Sequence, residues 1–176
     1  MTQSHNSSNS RSQTSLSMED KSLAMALGKI PSGLFIVTWR DGNTDRGMLA
    51  SWVMQAGFSP PALTIAVAPK RDLLDAIDRG TSFVVNILSD SQRSLLARFG
   101  KPLDEGDDPF SDLSIQRTAS GTATFEQSPS WLECKGIGRV GGGQNDHVIV
   151  FAEVFANSVH EHDSPLVHIR KNGLRY

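Results

Sequence analysis

The sequence holds one cysteine, Cys134, and one tyrosine, Tyr176. A single thiol excludes an internal disulfide. With no apolar leader at its start, the chain is expected in a reducing, cytoplasmic setting. No apolar run approaches the roughly 20 residues of a membrane helix, so no membrane partner is expected. Basic excess is missing too: 17 Lys and Arg against 19 Asp and Glu give a net charge of −2, which leaves nothing to attract nucleic acid. Residues 1–17, MTQSHNSSNSRSQTSLS, are nearly free of apolar side chains. They cannot offset their own ordering entropy and read as a disordered Ser-rich tail or linker. Residues 18–176 are long enough for one domain with a core.

The remaining pattern is rich in strands. Ser17 is placed to cap a helix with Glu19 and Asp20 in its first turn. Leu23, Ala26, Leu27 and Ile30 fall at helical spacing and predict its buried face. Leu34–Trp39 reads as a strand, Asp41-Gly42-Asn43 as a hairpin turn, and Gly47–Val53 as the return strand. Pro60-Pro61 breaks the ladder before a strand at Leu63–Ala68. Short helices are predicted at Arg71–Arg79 and Ser91–Phe99, flanking a strand at Phe83–Leu88. A charged loop follows, Lys101 to Pro109, then long strands at Trp131–Val140 and His147–Val159 and a short one at Leu166–Arg170. About seven strands against three short helices predict an all-β, antiparallel barrel or sandwich.

Several motifs fail on context. Gly136-Ile137-Gly138-Arg139-Val140-Gly141 spells G-x-G-x-x-G, but a dinucleotide site needs a helix to open at those glycines. Here they lead into the β-branched run after His147, so a hairpin is expected. His160 and His162 alternate without a completing ligand set, and no metal site is expected. Cys134 reads as a small core residue.

Five segments, in order, carry a family resemblance. Gly47–Pro61, GMLASWVMQAGFSPP, resembles the flavin-binding segment of the flavin reductase family. Phe83–Asn86 matches its F-x-V-N signature, and Leu95–Phe99 its next helix. Asn145-Asp146-His147 stands where the family shows Gly-Asp-His, and His168–Tyr176 resembles its closing H-x-x-G-x-Y element. The variant with LASW and HIRKNGLRY is most similar to the C-terminal flavin reductase module of cyanobacterial flavodiiron proteins.

The resemblance implies a Greek-key split β-barrel that binds FMN, with FAD as the alternative flavin, and takes hydride from NAD(P)H. It implies a homodimer and a flavodiiron-type redox partner or parent chain. A non-catalytic FMN relay on the same fold is the rival reading. Cofactor contacts are expected from Leu49, Ala50, Ser51, Trp52, Val53, Gln55, Phe58, Ser59 and Pro60, with Lys70 and Arg71 at the phosphate and Tyr176 beside the site. Ala50, Trp52, Val53 and the Pro60-Pro61 turn are expected to wall the isoalloxazine slot. Asn86 is expected to bond either flavin or a neighbouring strand. His147 is the expected catalytic residue, beside the nicotinamide. Leu49, Trp52, Met54 and Gly57 replace family hydroxyl positions, so backbone N–H groups are expected to take over part of their role.

Overall fold

The computed structural model describes residues 17–101, 107–143, 146–160 and 164–174. They divide into two units, residues 31–168 and a smaller one formed by residues up to 30 with those from 169 onward.

In the smaller unit, helix α1 spans Met18–Gly28. Ser17 accepts from the Asp20 backbone and Asp20 from that of Ser17, a reciprocal capping box. The expected buried face is corrected. Ala24 and Gly28 are buried, whereas Leu23, Ala26 and Ile30 are exposed. The selector is the C-terminal segment: Gly173 N–H donates to the Ala24 carbonyl at 2.7 Å. A Cβ on Gly28 would lie 2.6 Å from the Arg170 carbonyl oxygen. Close backbone approach, not the largest apolar side chains, chose the face.

The larger unit begins with β1 (Ser32–Gly33), β2 (Phe35–Asp41) and β3 (Thr44–Ala50). Gly42, at φ +60°, turns the expected hairpin. The expected return strand is split: β3 ends at Ala50 and β4 runs over Val53–Phe58. β5 starts directly at Pro61 and ends at Val67, a proline being tolerated as first residue of a strand. Helix α2 (Asp72–Asp78), β6 (Phe83–Ile87) and helix α3 (Ser94–Phe99) follow as expected. A hairpin of β7 (Ile115–Arg117) and β8 (Ala123–Phe125) was not anticipated. Long β9 (Ser130–Gly141) and β10 (Val148–Val159) precede β11 (Val167–His168), which pairs with β1. No described helix is long and apolar enough to cross a membrane.

Seven strands form one antiparallel sheet in the order β3-β2-β6-β9-β10-β5-β4. Its two edges, β3 and β4, are consecutive in the chain, with only Ser51 and Trp52 between them. The sheet must therefore curl until its edges nearly meet, which makes a barrel split at that corner. Its interior holds Val37, Ile65, Val85 and Val150, all fully buried, with Leu73 and Leu74 of α2 packed against them. A second apolar cluster joins Ile36, Leu95, Phe99, Phe110 and Phe125 on the outer side of β2 and β6. Beside it lies a buried polar network in which Thr118 and Ser120 both donate to the Glu133 carboxylate.

Candidate functional site

The Ser51–Trp52 corner is the centre of the site. Extended chain alternates sides, but a corner between two strands breaks the count. Ala50 points into the barrel and so does Val53, leaving Trp52 on the outer face. The Trp52 carbonyl accepts from Ala66 N–H at 3.0 Å, which ties the corner to β5. Ser51 is 7% exposed, and its Oγ has no hydrogen-bond partner among the described residues. An unpaired buried hydroxyl suits a polar ligand atom.

His147 immediately precedes β10. Val148 pairs with Val67 inside the barrel, so His147 projects outward. There its imidazole meets the Trp52 indole, centroids 4.8 Å apart and planes tilted by 56°. His147 Nδ1 lies 3.0 Å from Asp146 Oδ1. The hydrogen bond and the charge of His147 hold the Asp146 carboxyl below its ordinary range. An ionised carboxylate only accepts, so the proton of this bond sits on Nδ1. In the neutral ring Nε2 is then an acceptor.

The turn after β5 runs beside His147, because Val67 is opposite Val148. It carries Lys70 and Arg71, both exposed and neither in a salt bridge with a described residue. Two cations, a buried hydroxyl and an aromatic pair thus share the C-terminal end of β5. From them an apolar strip extends over the outer face of β9 and β10, through exposed Val140, Ile149 and Phe151. The strip had a signal in the sequence. His147–Phe151 is apolar at both alternating sets after the histidine, the pattern of a strand covered on both faces.

Other expected contacts are separated from this centre. Of the expected slot, Val53 and Pro61 line one groove of about 580 Å³, together with Gln55, Phe35, Leu132 and Val154, while Ala50 is buried in the barrel interior and Trp52 faces outward. Leu49 packs against the second apolar cluster, on the α3 side. Gln55, in β4, lines the same groove as Val53, whereas Phe58, Ser59 and Pro60 stand at the turn at the far end of β5, ~20 Å of strand from Trp52. Asn86 resolves to its structural alternative. It is fully buried, donates to the Ile36 carbonyl and Thr38 Oγ1, and accepts from Phe125 N–H. That corrects it as a flavin contact. Tyr176 and Asn145, like His162 and most of the loop after Lys101, lie outside the described residues.

The glycine motif lies on β9, not at a helix start, as its context predicted. Gly136 faces α2, where a Cβ would sit 2.5 Å from Ile77 Cγ2. Among the described residues no group of three His, Cys, Asp or Glu side chains is gathered as for a metal. Cys134 is buried, and burial, aided by the Glu133 charge, pushes its thiol up to about 12.

Comparison with known proteins agrees with the architecture. Residues 27–174 match the flavin reductase like domain. A diflavin flavoprotein (A 1) of Synechocystis is 35% identical over 159 residues, 89% of this chain and 27% of that protein. The chain thus spans about a quarter of the length of the curated relatives it matches. Among solved structures, nitrilotriacetate monooxygenase component B of Mycobacterium thermoresistibile superposes with a TM-score of 0.76 at 23% identity, covering 88% of this chain and 84% of that one. An NADH:FAD oxidoreductase of Streptomyces globisporus gives 0.74 at 24% identity, covering 86% and 87%. At that identity the two structures speak for the fold, a flavin reductase split barrel.

Proposed function

The chain belongs to the flavin reductase-like family, and from that premise we propose that it binds FMN and passes electrons to it from NAD(P)H. The observation that carries this reading is the meeting of Ser51, Trp52, Lys70, Arg71 and His147 at one end of β5. Bound FMN would supply a two-electron acceptor, which no side chain of the site offers. Lys70 and Arg71 hold its phosphate by charge-assisted hydrogen bonds. Ser51 Oγ and the corner backbone meet its polar atoms. His147 Nε2 accepts from the nicotinamide carboxamide and so orients the ring that gives up hydride. FAD is the alternative flavin, its phosphate meeting the same two cations.

The protein works as a homodimer in the cytoplasm. Support for the dimer comes from the apolar strip of Val140, Ile149 and Phe151, exposed beside the site. A second reading, an FMN relay for a flavodiiron-type partner or parent chain, is favoured by the relatives being diflavin flavoproteins of which the chain matches only about a quarter. One experiment separates the readings. The purified protein is titrated with FMN, and NADH or NADPH is added without oxygen. Bleaching of bound flavin at a catalytic rate is expected. Bound flavin that neither nucleotide bleaches would leave the relay, and a protein that takes up no FMN would remove both.

A further inference from the structure

We propose that the open mouth of the barrel binds an uncharged aromatic molecule that carries an amide edge. The mouth is the groove of about 580 Å³ beside the start of β5, a volume within the range of small-molecule sites, which barrel mouths often hold. Its walls are Phe35, Val53, Leu63, Leu132 and Val154, the last layer of the barrel core. Of these only Leu63 is buried, and the other four are half-buried, so the core is left uncovered at this end. Two carboxamides stand at core-facing positions around that apolar wall. On β4, Val53 is opposite Ile65 and Gln55 opposite Leu63, both interior residues, before the register shifts ahead of Gly57. On β10 the register shifts between Val154 and Ala156, which makes Phe155 an extra residue. Asn157 then comes opposite Leu132 of the wall, while Ala156 comes opposite Glu133 on the outer face. The bulge thus turns Asn157 to the mouth.

These residues define the ligand. A polar side chain at a core-facing position is out of place in a barrel unless it serves a ligand. Gln55 Nε2 reaches only the Gly57 carbonyl, at 3.4 Å, and the Asn157 side chain bonds no described residue. Each carboxamide offers a donor and an acceptor, the complement of a lactam. The apolar walls, with Phe35 and Phe155 among them, favour a flat ring. None of the described lining residues is charged, so a phosphate entering the mouth would lose water and meet no counter-charge. That sets the mouth apart from the nucleotides assigned to Lys70 and Arg71, which follow the other end of β5, roughly 20 Å of strand away.

The probe is 2-quinolinone, a fluorescent bicyclic lactam, with naphthalene as the control that matches its rings and lacks its amide. Both are titrated into the purified protein, with and without FMN. 2-Quinolinone is expected to bind saturably, about 10-fold more tightly than naphthalene, and FMN is expected not to displace it. Asn157→Trp, a change at an exposed rim position, should close the mouth and abolish binding. Leu132→Phe, which narrows the mouth from its wall, replaces it should that variant not fold. Asn157→Leu should keep naphthalene binding and remove most of the preference for the lactam. No binding of 2-quinolinone up to its solubility overturns the proposal. Displacement by FMN overturns it by assigning the probe to the flavin site, and binding that survives Asn157→Trp does so by placing the probe elsewhere. Equal affinity for the two probes overturns the amide edge. A wild-type dimer that Asn157→Trp splits in sedimentation overturns the ligand by giving the mouth to a second copy of the chain.

Discussion

Thr118 Oγ1 donates to Glu133 Oε1 across 2.9 Å, and Glu133 is only 1% exposed. Ser120 donates to the same oxygen and also bonds Ser82 and Thr122. This carboxylate fastens the β7–β8 hairpin to the outside of β9. Replacing Glu133 by Ala removes the acceptor and leaves buried hydroxyls short of a partner. A loss of about 2–4 kcal/mol is expected, and about half of that for Glu133→Gln, which keeps an acceptor oxygen. Urea unfolding measures both. An Ala variant as stable as wild type would mean that the hairpin is held by its apolar contacts alone.

The double replacement of Lys70 and Arg71 by Ala tests the phosphate assignment. FMN binding should weaken by about 2–4 kcal/mol, the scale of hydrogen bonds to charged groups. Riboflavin has no phosphate, so its affinity should hardly change. Equal weakening of both flavins in parallel titrations would move the phosphate elsewhere.

The apolar strip makes the dimer testable. Phe151→Glu places a carboxylate among Ile149 and Val140 and, across a two-fold axis, near its own copy. Sedimentation should find wild type as a dimer at micromolar concentration and Phe151→Glu as a monomer with unchanged melting. A wild-type monomer would remove the dimer from the proposal.

Cys134 gives a pH dependence of known sign. Its folded-state value, pushed up to about 12, lies above an ordinary thiol near ~8.5. The unfolded chain therefore loses this proton first. The contribution is fully present below ~8.5 and is lost as pH rises from there toward 12. Cys134→Ala should be less stable near neutrality because of the cavity, yet lose less on going from pH 8 to pH 10. Native protein should also resist a thiol reagent at pH 8 and react once unfolded. Rapid labelling of the native protein would contradict the burial.

What the sequence determined was local or short-range. The Ser17–Asp20 capping box, the turn at Gly42, the strand Phe83–Ile87 and the stops of α2 and α3 each depend on residues within a few positions, and all could be read directly. The family resemblance implied site roles for Trp52, His147, Lys70 and Arg71. Only the tertiary structure decided which of the implied site residues meet. Ala50 and Leu49 differ by one position, yet one faces the barrel interior and the other the α3 cluster. Ser51 and Trp52 break the strand count, so no alternation rule carries across them. Asn86 was divided between flavin and strand until the Phe125 backbone, 39 residues away in sequence, arrived to occupy its oxygen. The three-residue strands β7 and β8 are too short for a periodic signal and exist by pairing with each other. Spacing along the chain sets what each segment is, whereas cross-strand register sets which side chains share a face, and register depends on partners distant in sequence.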